Sequence, residues 1–240
     1  MKPISPLIKD AKRIEGIFNA LSKHYDLINR LLSAGIDQHW RKKLSLKLTP
    51  TSQNLKILDI ATGTGDQIVS LCQTHSTIKT AIGIDLAENM LAVAEKKVIK
   101  KNLLERIQLQ KGNTCNLAFE DETFDAVTCS FGLRNFDDLT LALNEIFRVL
   151  KPNGQLLILE FSLPKNKIFK NMYIGYFRHI LPALGNLFSN HPNAYTYLNQ
   201  SVEQFPYGDA FADILRRSKF SNIEHVPLSF GISTIYSATK

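Results

Sequence analysis

The sequence predicts an α/β protein: a doubly wound, mainly parallel seven-stranded sheet with an aromatic-rich helical cap inserted late in the chain. Three observations predict it. Short apolar runs alternate with stretches of helical periodicity, the pattern of strands joined by crossover helices. Gly63 and Gly65 interrupt the first strand-helix unit where a tight turn is needed. Asp85 closes the second strand 20 positions after Gly65.

Taken in order, residues 14–32 repeat apolar side chains every three or four positions (Ile17, Leu21, Tyr25, Ile28, Leu32) and predict an amphipathic helix. Leu55–Ile60 predicts the first strand, and helical spacing resumes over 67–73. A strand over 80–84 and an Ala-, Glu- and Lys-rich helix over 87–101 repeat the unit. Strands follow at 107–110, Phe124–Ser130 and 155–161, with a helix over 139–150 that Pro152 and Gly154 end. A helix at 210–217 and strands at 224–228 and 232–238 close the chain. A length of 240 residues suits one core. The chain divides into a basic helical segment at 1–50, an α/β core at 51–162, an aromatic helical cap at 163–209, and a C-terminal helix and strands at 210–240 that complete the sheet.

Composition excludes several classes. With 44% hydrophobic and 21% charged residues the chain has the apolar area to fold. Cys72, Cys115 and Cys129 are odd in number and lack CxxC spacing, which argues against a disulfide framework or a zinc site and fits a reducing cytosol. No metal is expected. Neither a signal-peptide apolar run nor a membrane-spanning stretch is present, so a cytoplasmic protein is expected that meets a membrane only peripherally, at its inner face. The net charge of +7 lies wholly in residues 1–56, which hold 11 Lys/Arg against 4 Asp/Glu, while 57–240 hold 18 of each. Such a bias suits an anionic membrane surface or simply a solvated helix. Nucleic acid is not expected, because the basic residues are not interleaved with aromatics into a stacking groove.

The stretch Ile57-Leu58-Asp59-Ile60-Ala61-Thr62-Gly63-Thr64-Gly65-Asp66 turns the first strand into the first helix. Glycine there allows close approach of backbone to a ligand, and Asp85 stands at the spacing from which a carboxylate reaches ribose hydroxyls. An adenosine-containing ligand is indicated, with Asp59, Gly63, Gly65 and Asp85 as candidate contacts and Gly112-Asn113-Thr114 after the third strand as further ones. A dinucleotide fingerprint would need a third glycine where Asp66-Gln67-Ile68 stands, and a carboxylate would repel pyrophosphate. Asp66 beside a sulfonium is favourable, so S-adenosylmethionine is the expected cofactor.

Four stretches then carry a resemblance: Tyr25-Asp26-Leu27-Ile28-Asn29; Ser130-Phe131-Gly132-Leu133-Arg134-Asn135; Arg148-Val149-Leu150-Lys151-Pro152 with Leu159-Glu160-Phe161-Ser162; and Ala194-Tyr195-Thr196-Tyr197-Leu198 with Phe205-Pro206. On these the chain resembles the quinone-biosynthesis C-methyltransferases of the UbiE/MenG type, within the Rossmann-like class I methyltransferases. The resemblance implies methylation of a polyprenylated quinol at a ring carbon, demethylmenaquinol to menaquinol, or of a benzoquinol on the way to ubiquinol. It also implies that Thr64, Asp85, Asn113, Thr114 and Ser130 line the cofactor site. Thr62, Asn153 and Ala118 depart from the family's usual small residues and proline, and Asn113-Thr114-Cys115 from its usual small or acidic ones. A nucleic-acid methyltransferase of the same fold is the remaining rival.

On the substrate side, residues 161–207 carry 10 of the chain's 22 aromatics, enough for the apolar walls of a ring-and-tail pocket or for the core of a helical cap. Carbon attack needs an electron-rich ring, which a quinol phenolate supplies from a phenol of pKa roughly 10. Arg134 is the candidate to stabilise that charge and Asn135 to hydrogen-bond the hydroxyl, with Tyr25, flanked by His24 and Asp26, as a third polar contact. For Arg134 the competing role is a structural ion pair, and for His24 an exposed helix position. Whether two copies associate as a homodimer is left open.

Overall fold

The computed structural model describes residues 10–22, 25–33, 35–166, 169, 171, 173, 175, 197 and 200–240. Three N-terminal helices, α1 (Ala11–Leu21), α2 (Tyr25–Ser33) and α3 (Asp37–Lys47), precede β1 (Leu55–Ile60). The chain then alternates α4 (Asp66–Thr74), β2 (Ile78–Asp85), α5 (Glu88–Lys100), β3 (Ile107–Lys111), β4 (Phe124–Ser130), α6 (Leu139–Val149) and β5 (Leu150–Phe161). It ends with α7 (Asp209–Arg217), β6 (Ser221–Leu228) and β7 (Ser233–Thr239).

The seven strands form one sheet in the order β3-β2-β1-β4-β5-β7-β6. β1 to β5 pair in parallel, and β7 is antiparallel to both β5 and β6. Strand order reverses between β1 and β4, so the crevice of this doubly wound sheet opens there, at the carboxyl ends. Both faces are covered, which is why the strands read as near-continuous apolar runs. Leu55 and Ile57 of β1 point to a core shared with Trp40 and Leu44 of α3 and Ile68 and Leu71 of α4. Leu58 and Ile60 point the other way, to Leu143 and Ile146 of α6 and Phe211 and Leu215 of α7.

Three elements differ from the sequence expectation. The helix expected over 14–32 is broken after Leu21, where Ser22 Oγ donates to the carbonyl of Asn19 at 2.9 Å and competes with helix propagation. Helix α3 had no apolar signature, because its buried stripe includes Asp37, Arg41 and Ser45 beside Trp40 and Leu44. Pro152 and Gly154 do end α6, yet β5 starts at Leu150 and runs through them with Asn153 at φ 62° and a register shift between Phe124 and Ala126 on β4. Most of the cap expected at 163–209, including Tyr176, Phe177 and Tyr195, lies outside the described residues, as does His24.

Candidate functional site

Asp85 ends β2 with both carboxylate oxygens engaged by backbone: Oδ2 accepts from Gly63 N at 2.8 Å and Oδ1 from Ala87 N at 2.9 Å. Burial raises its pKa above the usual carboxylate range, while those amides pull it back. Each oxygen keeps a further lone pair for a ligand hydroxyl. The Gly63–Gly65 turn that supplies one amide is left-handed at both glycines, φ 56° and 78°. A Cβ on Gly65 would also sit 3.0 Å from that of Ala94, so glycine lets α5 close against the loop.

The loop after β4 approaches from the other side of the switch point. Ala61 and Phe131, both non-glycine, hold φ of 49° and 62°, and a Cβ on Gly132 between them would lie 2.6 Å from that of Ala61. Strained backbone at two facing loops is characteristic of a site held in shape by its surroundings. Phe131 is fixed by stacking on Phe161 at 4.4 Å and by the Arg41 guanidinium 5.1 Å from its ring. Ser130 donates to Gln67 Oε1 at 3.0 Å.

Between the loops opens a cleft at the switch point. Gly63, Asp85, Asn113, Thr114 and Ser130 line it, together with Tyr25 and Asn135. With Gly112, the structure therefore brings together eight of the candidate site residues singled out in the sequence. Others it places behind the walls. Asp59 is 1% exposed under the glycine turn, accepting from Thr62 Oγ1 at 2.7 Å and Thr128 Oγ1 at 2.5 Å, and burial pushes its pKa up to about 6. Gly65 caps α4, and Thr64 Oγ1 donates to Asp26 Oδ1 at 2.5 Å instead of facing the cleft. Asp66, expected beside a sulfonium, is turned away: it pairs with Lys97 and accepts from Gln38 at 3.1 Å. Burial alone would raise its pKa, but the Arg41 and Lys97 cations together hold it below the usual range.

Arg134 is also not on the cleft wall. It is 1% exposed, with Nη1 2.7 Å from Glu160 Oε1 and 2.5 Å from the Phe131 carbonyl, and its Nε is buried without a partner. Burial works against its charge and Glu160 more than restores it. Its field reaches two phenols: it opposes the burial that raises the pKa of Tyr25 and that pushes Tyr197 up to about 12. Asn135 Oδ1 accepts from Tyr197 Oη at 3.1 Å, while its Nδ2 makes only a 3.5 Å contact to the Phe131 carbonyl. Glu160 and Tyr197 were visible in the sequence only as parts of motifs, without a role.

Residues that nothing in the sequence assigned to the site come from α1 and from the start of α5. Ile14 and Phe18 of α1 lie over the cleft, and Leu86 and Met90 flank Asp85. Leu86, Met90 and Phe136 offer the apolar surface on which a purine ring can stack. Helix α1 is held there by Glu15 to Lys111 at 2.8 Å and by Asn19 Oδ1 accepting from Asn89 N at 3.0 Å. Position after Asp85 was the available cue for Leu86; for α1 there was none, since its contact is long-range.

A model of the ubiE/COQ5 methyltransferase family matches residues 7–240. The chain belongs to that family. It is 39% identical over 240 residues to the demethylmenaquinone methyltransferase of Bacteroides fragilis, covering 100% of this chain and 97% of the relative. To the ubiquinone/menaquinone biosynthesis C-methyltransferase UbiE of Geobacter sulfurreducens it is 38% identical over 234 residues, covering 98% and 91%. Among solved structures, a SAM-dependent methyltransferase of Thermotoga maritima described as a possible histamine N-methyltransferase superposes with TM-score 0.66 at 20% identity, covering 94% and 99%. That likeness shows the class I fold alone. This methyltransferase therefore takes S-adenosylmethionine as its cofactor, and the free oxygen lone pairs of Asp85, the glycine turn and the Leu86–Met90 surface fit it.

Proposed function

We propose that this methyltransferase methylates a ring carbon of a polyprenylated quinol, converting demethylmenaquinol to menaquinol. The observation that carries the reading is one cleft at the switch point that joins Asp85 on its cofactor side to Tyr25, Ser130 and Asn135 on the other, between apolar walls. Relatives named demethylmenaquinone methyltransferase, alike over the whole chain, support the acceptor. Others named for both ubiquinone and menaquinone favour a benzoquinol as a second acceptor.

Bound against Asp85, S-adenosylmethionine supplies an electrophilic methyl group. The remaining work falls to this chain's side chains. Tyr197 holds the Asn135 oxygen, which leaves the Asn135 amide nitrogen to donate to a quinol oxygen. The phenol of Tyr25, whose pKa burial raises, stays protonated and hydrogen-bonds the quinol oxygen to orient the ring, and the proton displaced from the methylated ring carbon leaves to water at the cleft mouth. Arg134, paired with Glu160 behind both tyrosines, acts as a positioning residue whose positive field favours negative charge on these oxygens. Ile14 and Phe18 of α1 exclude water from the cleft. In the same reading the N-terminal excess of 11 Lys/Arg over 4 Asp/Glu draws the protein to an anionic membrane surface, where a prenylated quinol is dissolved. Among the described residues no helix is long and apolar enough to cross a membrane.

The test is quinone profiling by mass spectrometry in cells lacking the protein, with methyl transfer to short-chain naphthoquinol and benzoquinol in vitro. A quinone missing one ring methyl is expected. An unchanged quinone pool would overturn the reading.

A further inference from the structure

Among the described residues the most exposed large apolar side chain is Phe230, at 77%. It sits in the 3-10 turn Ser229–Gly231 between β6 and β7. Leu228 pairs with Ser233, which also pairs with Phe161 at the end of β5, so this turn lies on the carboxyl-end rim of the sheet, the rim on which the cleft opens. The turn is built to hold its shape. Ser229 and Phe230 are both left-handed, φ 46° and 60°, a conformation that a non-glycine residue keeps only where its surroundings enforce it. Ser229 Oγ accepts from Trp40 Nε1 at 3.0 Å, the Gly231 carbonyl accepts from Ser162 Oγ at 2.8 Å, and Gly231 packs against Pro164 so closely that a Cβ there would stand 3.3 Å from the proline Cα.

The turn thus aims an aromatic ring at solvent. Phe169, itself 42% exposed, stacks on it with centroids 5.0 Å apart and planes within 10°. The surrounding charge is basic. Lys165, four positions before Phe169, is exposed, and α3, tied to the turn through Trp40, carries Lys42 and Lys43 at exposed positions. Protruding aromatic rings fringed by lysines match a bilayer interface, with rings at the acyl boundary and ammonium groups among phosphates.

We propose that the Phe230–Phe169 pair is the point at which this protein enters an anionic bilayer, Phe230 inserting below the headgroups while the lysines around it engage lipid phosphates. Insertion at this rim sets the mouth of the cleft beside the layer that holds a prenylated quinol. That consequence rests on the acceptor proposed above; the insertion itself does not.

The experiment is co-sedimentation of the full chain with vesicles of phosphatidylcholine alone or with phosphatidylglycerol, comparing the parent with Phe230→Asp, Lys165→Glu and Phe230→Trp. Binding of the parent to anionic vesicles is expected to fall at least about tenfold in Phe230→Asp, the loss of one buried aromatic ring. In Lys165→Glu it should fall less and respond to salt. Phe230→Trp should gain emission that acyl-brominated lipid quenches. Phe230→Asp should retain parental affinity for S-adenosylmethionine and parental methyl transfer to a water-soluble short-chain quinol. Parental vesicle binding by Phe230→Asp, or unquenched Phe230→Trp, overturns the proposal. Loss of transfer to the soluble quinol would assign Phe230 to the substrate pocket, and a dimer in the parent that Phe230→Asp dissolves would assign it to a contact between copies; each also overturns it. If the parent methylates no quinol, the acceptor reading fails and the vesicle and quenching arms still decide this one.

Discussion

Asp85 shows how one side chain both builds and uses a site: by accepting from Gly63 N and Ala87 N it fixes the turn that surrounds the ligand. Asp85→Ala is expected to weaken S-adenosylmethionine binding at least tenfold, since charge-assisted hydrogen bonds are each worth about 1.5–3 kcal/mol; calorimetric titration of the folded variant with unchanged affinity would refute it. Asp59 behaves differently, because its pKa of about 6 exceeds the ordinary 3.8. The native state holds that proton more tightly than the unfolded chain, so the contribution to stability is present below about pH 4 and is lost as pH rises through about 6, amounting to at most about 3 kcal/mol. Asp59→Asn should therefore gain stability relative to the parent between pH 4 and 6, and parallel urea midpoints across that range would show the carboxyl titrates normally. Arg134, 1% exposed against a Glu160 that is 0% exposed, is expected to cost about 3–5 kcal/mol when cut to alanine, because it strands a buried carboxylate. Thermal denaturation tests this, and a loss of activity without a fall in Tm would point to contact with substrate instead.

At the scale of elements, polar groups tie α1 and α2 to the Rossmann core beside the apolar contact made by Ile17 and Leu21 of α1. Asp26 of α2 accepts from Thr64 and pairs with Lys97 at 3.0 Å, tying this helix to the glycine turn and to α5. Partly exposed pairs contribute little to global stability, about 0–1 kcal/mol. Asp26→Ala should leave Tm nearly unchanged yet raise protease sensitivity in residues 10–33 and weaken cofactor binding several-fold, since α2 carries Tyr25 to the cleft. Limited proteolysis with and without S-adenosylmethionine measures this; identical cleavage rates in variant and parent would remove Asp26 as the tie.

Across the whole molecule, Trp40 joins segments 189 positions apart through its bond to Ser229 and packs on Phe161 at 6.4 Å. As the single tryptophan it reports on α3, the end of β5 and the β6–β7 turn at once. Its fluorescence transition in urea should coincide with that of far-UV circular dichroism, as for one cooperative unit. A separate, earlier fluorescence transition would mean that residues 1–50 melt apart from the sheet.

The strands, the doubly wound order of helix and strand, and Asp85 with its glycine turn were legible in the sequence, because burial on both sheet faces and left-handed turns leave a local imprint of apolar runs and glycines. Helix α3 left none, since its inward stripe is half polar and its partners are in α4 and β5. The direction of charged side chains was equally hidden. Asp66 faces Lys97, 31 positions away, and not the cofactor; Arg134 faces Glu160, 26 positions away, and reaches the cleft only through the tyrosines in front of it. A carboxylate or guanidinium near a ligand loop has several possible partners, and its choice depends on which cation or anion the packed sheet brings within about 3 Å. Tertiary structure alone decides that, as it decided that α1, read as part of one amphipathic helix over 14–32, covers the site.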